Sequence, residues 1–175
     1  GALWSGGNGT FTPNNAALNA SYMPSVSEIA AGTVSLTLTT VGNGTCSPVS
    51  DQVVITITPS PIVDAGAALT SCANNPAAQL AGSVQNATGG IWSGAGTFSP
   101  SAANLSAIYT PSAAEVLAGS ATITLTSTGN GLCNAVADQV VLTITAAPIV
   151  EAGTPQSLCA NNAVVHLGGP VINAT

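Results

Sequence analysis

TVSLTLTTVGNGTCSPVSDQVVITIT, residues 33–58, is the stretch whose reading decides the fold. Val34, Leu36 and Leu38 alternate with Ser35, Thr37 and Thr39, and further on Val53, Ile55 and Ile57 fall on one face of a second run. Apolar residues at period two, many of them β-branched, mark strands with one buried face. VGNGT between the two runs carries the Asn-Gly signal of a β-hairpin.

The same phrase returns as SATITLTSTGNGLCNAVADQVVLTIT, residues 120–145. The repetition extends along the chain at a spacing of 87. Phe11 falls on Phe98, Tyr22 on Tyr109, Glu28 on Glu115, Cys46 on Cys133, Asp51 on Asp138, Asp64 on Glu151 and Cys72 on Cys159. Trp4 and Trp92 lie 88 apart, because SGGNGT carries one residue more than SGAGT. PSVSEIAAG and PSAAEVLAG read as a turn, or a single helical turn, ahead of a strand. Strands and turns alternating about every 8–12 residues predict a β-sandwich.

TPSPIV (58–63) and TAAPIV (145–150) put proline after a finished strand and read as linkers. The expected domains are the C-terminal two-thirds of one Ig-like repeat (1–58), a complete repeat (59–145) and the first strands of the next (146–175). Thr175 corresponds to Thr88, which precedes the counterpart of Gly1, so the sequence reads as two periods of a longer array. The expected fold class is all-β: tandem Ig-like β-sandwich repeats forming an extended rod.

Composition narrows the function. Among 175 residues there are no Lys or Arg, six acidic residues and one His, and 46% are apolar. Without cations the chain cannot neutralise nucleic-acid phosphates or anionic lipid. No apolar run approaches the ~20 residues of a membrane-spanning helix. Trypsin finds no cleavage site, folded or unfolded.

The phrases WSGGNGTF, LNASYMPSVSEIAAGTVSLTLTTVGNGTC, SDQVVITIT and SCANN resemble the tandem Ig-like/PKD-like repeats of large cell-surface adhesins of Bacteroidota, including gliding-motility adhesins exported by the type IX system. The resemblance covers the whole chain. It implies a β-sandwich module of a long extracellular surface fibre.

Candidate chemistry is sparse. The one imidazole, His166, falls on Gln79 of the other copy and reads as an ordinary strand residue. The acidic residues match no calcium loop, although a carboxylate pair brought together by folding could hold Ca²⁺ between domains. No other cofactor, no metal site and no catalytic set is expected. Trp4 and Trp92 could stack on a sugar, but a tryptophan on the third strand of a sandwich fills the core. Tyr22 and Tyr109 read as half-buried. Leu80, Ile123, Leu125, Val140, Leu142 and Ile144 complete the expected core. The threonine rows could present an ice-binding array or simply suit an exposed strand face.

Cys46, Cys72, Cys133 and Cys159, two per period, suggest structural disulfides in an extracellular protein. Two arrangements stay open: a bridge inside one repeat, Cys72 with Cys133, or a staple between successive repeats.

The reading is therefore a non-catalytic stalk or filament repeat of an extracellular bacterial adhesin. It would hold a binding tip away from the cell or assemble into fibres. Its partners would be neighbouring repeats and further copies, since its strand edges lack the lysines that usually block edge pairing. The alternative is a module binding a glycan or protein surface through its loops.

Overall fold

A computed structural model describes residues 1–174. The chain divides into two compact units, Gly1–Ser60 with Gly131–Asn134, and Pro61–Asn130 with the residues from Ala135 onward. Both are built of strands, with one short helix each.

The first unit contains β1 (Ala2–Ser5), β2 (Thr10–Thr12), β3 (Ser21–Met23), α1 (Val26–Ala31), β4 (Thr33–Thr40) and β5 (Ser50–Thr56). Its main sheet has the antiparallel order β1-β4-β5, and β2 pairs with β3. Val34 and Leu36 are buried on β4.

The second unit contains β6 (Ile62–Asp64), β7 (Leu69–Cys72), β8 (Ala78–Gln79), β9 (Ser83–Gln85), β10 (Gly89–Ser93), β11 (Thr97–Ser99), β12 (Ile108–Thr110), α2 (Ala113–Ala118), β13 (Ser120–Thr128), β14 (Ala137–Thr145), β15 (Ile149–Val150) and β16 (Val171–Ile172). The large sheet runs β10-β13-β14-β7, and β11-β12-β8, β6-β9 and β15-β16 form smaller ones. β7 lies parallel to β14; the other pairs are antiparallel. Side chains from both layers form one core: Leu80, Trp92, Tyr109, Ile123, Leu125, Val140, Leu142 and Ile144, with Ala65, Ala107 and Ala121. The alternation along β13 and β14 produces this directly. Ile123 pairs with Val140, and both face inward.

The Asn-Gly signal acts differently from its usual role. Neither hairpin closes through a two-residue turn; longer loops join β4 to β5 and β13 to β14. Glycine, not asparagine, takes the left-handed backbone in them, at Gly42, Gly44, Gly129 and Gly131. Asn43 and Asn130 instead donate their side-chain amides back to the carbonyls of Thr40 and Ser127.

Candidate functional site

The densest polar constellation is one that occurs in both units. In the second, β11 and β12 place Phe98 opposite Tyr109 with ring centroids 5.0 Å apart. The Tyr109 hydroxyl shares its proton between the two Glu115 carboxylate oxygens, at 2.7 and 2.9 Å, and accepts the Gly96 N–H at 2.8 Å. Glu115 is the third residue of α2. Its Oε2 also accepts the N–H and the hydroxyl of the N-cap Ser112, both at 2.8 Å, and the Ser112 hydroxyl accepts the Glu115 N–H. This is a capping box, S-x-x-E, satisfying two orphan donors of a six-residue helix. Gly119, left-handed at φ 76°, ends that helix.

The first unit repeats the arrangement. Tyr22 donates to both Glu28 oxygens and accepts the Gly9 N–H. Glu28 also accepts the Asn8 N–H at 2.8 Å and the Ser25 N–H at 2.7 Å.

Electrostatics follow from these contacts. Burial pushes the Glu28 carboxyl up, but hydrogen bonds from Ser25, Asn8 and Tyr22 outweigh it and hold it at about 2. Glu115 is likewise held low, burial being outweighed by donors from Ser112, Tyr109 and Ala95. Burial, with the hydrogen bond to Glu115, pushes Tyr109 up to about 12. The carboxylates are ionised and their oxygens already engaged. The cluster ties a strand-connecting loop to a helix start and so braces the unit.

A second carboxylate does similar work. Asp138 Oδ2 accepts the Ala65 N–H at 2.8 Å, binding the end of β6 to β14. That bond, then one from Gln139, lowers the Asp138 pKa.

Trp92 is buried in the core and its indole N–H reaches the Leu105 carbonyl at 3.3 Å, so it offers no face to a sugar. Trp4 is only half-buried. Tyr109 is fully buried rather than half-buried, while Tyr22 is half-buried. The threonine row of β13 is one strand wide: Val141 stands beside Thr122 and Gln139 beside Thr124, so no two-dimensional threonine array forms. His166 is exposed.

Of the two cysteine arrangements, the bridge inside one repeat is corrected. All four cysteines are free thiols. Cys72 pairs with Thr145 at the far end of β14, whereas Cys133 lies in the loop that enters β14 at Ala137. A nine-residue strand separates them by roughly 30 Å at ~3.4 Å per residue, against the ~7 Å limit between bridged Cα atoms. A bridge inside the repeat is thereby excluded. The Cys133 thiol instead points to the carbonyls of Pro59 (3.6 Å) and Thr58 (3.9 Å), and the Cys72 thiol to that of Ala146 (3.9 Å).

A shallow apolar groove of about 830 Å³ lies in the second unit, lined by Ala73, Pro111, Val116, Leu117, Ala146 and Ile149 among others. No ionisable side chain lines it. Among the described residues no group of three or more His, Cys, Asp or Glu could hold a metal ion, and no helix is long and apolar enough to cross a membrane.

Sequence reading missed the brace. Ser25-x-x-Glu28 and Ser112-x-x-Glu115 were visible as capping boxes, but the tyrosine six residues before each glutamate has no local signature.

No protein-family model and no curated protein matches the chain. Among solved structures, the extracellular cadherin domains 1–4 of protocadherin gamma B7 align with 87% of this chain at 14% identity and a TM-score of 0.38. The chain spans 43% of that chain's length. The sandwich assignment rests on the strand pairing and the shared core described above.

Proposed function

We propose that the chain is a non-catalytic structural module of an extracellular, adhesion-type surface protein, acting as a stalk or filament repeat. The observation that carries this reading is the fate of the polar residues that recur in both copies. Tyr109, Glu115 and Ser112, like Tyr22, Glu28 and Ser25, spend their hydrogen bonds on one another and on nearby backbone. A ligand site would keep recurring polar groups turned outward. Gln79 and His166, which differ between the copies, are both exposed, as expected of a scaffold. The finer assignment, to the gliding-motility type of Bacteroidota adhesin, is supported by the resemblance of the repeat phrases alone.

The test is deletion of one 87-residue period from the surface protein that bears these repeats. A stalk repeat predicts a fibre shorter by one repeat in electron micrographs, with ligand attachment unchanged. Lost attachment at unchanged fibre length would overturn the proposal in favour of a binding module.

A further inference from the structure

The two cysteines of the complete repeat address the same two positions of the linker. TAAPIV begins with Thr145 and Ala146, which correspond at the 87-residue spacing to Thr58 and Pro59 of TPSPIV. Cys72, the last residue of β7, stands beside Thr145 in the ladder, and its thiol lies 3.9 Å from the Ala146 carbonyl. The Cys133 thiol lies 3.6 Å from the Pro59 carbonyl, 3.9 Å from that of Thr58 and 3.5 Å from the Thr58 hydroxyl. Each contact falls inside one compact unit, Cys133 with Pro59 in the first and Cys72 with Ala146 in the second.

Cys72 therefore touches the linker by which its repeat ends, and Cys133 the linker by which its repeat begins. Brought to one linker by the repeat spacing, the two contacts share a single carbonyl oxygen, that of Ala146 or its counterpart Pro59. The sulfurs of successive repeats are then no farther apart than the two distances, 3.9 and 3.6 Å, laid end to end. Rotation of χ1 between staggered wells is the adjustment that remains.

We propose that a disulfide staples each repeat to the next, from the Cys72 position of one to the Cys133 position of the repeat that follows. Cys72 takes the Cys133 counterpart of the following repeat, and Cys133 the Cys72 counterpart of the preceding one. The proposal deepens the stalk reading and rests on it for the array and for the oxidising extracellular setting. The bond forms by thiol–disulfide exchange with an oxidant that is itself a disulfide. The two cysteine thiols give up two electrons and two protons as their S–S bond closes, and the oxidant takes up both and leaves as two thiols.

The staple limits what tension can do. Along the covalent path, force enters a repeat at Cys133 and leaves through Cys159, 26 positions on. Two repeats then contribute about 90 Å of extensible chain at ~3.6 Å per residue, against roughly 630 Å for two unstapled periods. Two folded repeats already span about 60 Å along their strands. A stapled stalk thus keeps close to its length even where a repeat has unfolded.

The experiment is alkylation of the intact surface protein that bears these repeats, without reductant, followed by peptic digestion and mass spectrometry. Expected is protection of both Cys72 and Cys133. Cys72→Ser should leave Cys133 protected and free one thiol in the following repeat; Cys133→Ser should leave Cys72 protected and free one thiol in the preceding repeat. Stretching the array gives a second readout: each unfolding event should release less than a tenth as much chain before reduction as after it. Alkylation of Cys72 and Cys133 in the parent protein, alkylation of Cys133 upon Cys72→Ser, or a dimer of chains on a non-reducing gel would overturn the proposal. None of these results bears on fibre length after deletion of a repeat, so failure here is separable from failure of the stalk reading.

Discussion

Tyr109→Phe removes one oxygen atom from the centre of the brace in the complete repeat. The ring should stay in place, since it is fully buried and packed on Phe98, so the change creates almost no cavity. What is lost is polar. The Gly96 N–H loses its acceptor, and Glu115 loses a donor while retaining those of Ser112. A buried polar group deprived of its partner costs about 1–3 kcal/mol. Glu115 falls at the low end of that range because Ser112 still serves it, which makes the sum ~2–4 kcal/mol. For a domain of this size each kcal/mol shifts the melting temperature by about 4–8 °C, so the variant should melt roughly 10–30 °C lower. Differential scanning calorimetry together with urea unfolding reads both quantities. Tyr22→Phe, in the half-buried copy, should cost less by the same reasoning on water access. A loss below ~0.5 kcal/mol for Tyr109→Phe would refute the claim that the brace holds the repeat together.

Acid should undo the same clusters. Glu28 titrates at about 2 against an ordinary 4.5, so its contribution is complete above pH 4.5 and is lost as pH falls through about 2. Urea midpoints flat down to pH 2 would contradict this. Tyr109, raised to about 12 from an ordinary 10, behaves oppositely: its share is full below pH 10 and is lost as pH rises through 12, which ultraviolet titration of tyrosinate alongside unfolding would follow. Gly82→Ala would place a Cβ 2.6 Å from the Trp92 ring and 2.7 Å from Leu125, and the overpacking should cost about 1–3 kcal/mol, seen in the urea midpoint of tryptophan fluorescence. Peptide mapping of the folded, oxidised chain should find no Cys72–Cys133 bond within one molecule; finding it would mean that β14 does not separate the two residues.

The long strands were legible because each is buried on one face: Ile123 and Leu125, or Val140 and Leu142, announce themselves at period two. The large sheet and most of the core followed from them. The short elements were not legible. β8 has two residues and β12 three, too few for any period, and their placement is set by the partners they find. Trp4 is half-buried where Trp92, at the corresponding position, is buried. Of the two cysteine arrangements, only the bridge inside one repeat is ruled out. The turn positions already place the two thiols at opposite ends of a sandwich, and Cys72 and Cys133 do occupy opposite ends of β14. The brace joins Tyr109 and Glu115 through the meeting of a strand and a helix start, a contact that exists only once the chain has folded.

Pulling on the two ends of the chain in a single-molecule force experiment tests the structural role most directly. A mechanical sandwich repeat predicts one abrupt unfolding event for residues 59–145, releasing roughly 280 Å of chain, from ~3.6 Å per extended residue less the ~30 Å that the folded strands already span. Smooth extension without a resisting event, or release in small scattered steps, would contradict a mechanical role for the repeat.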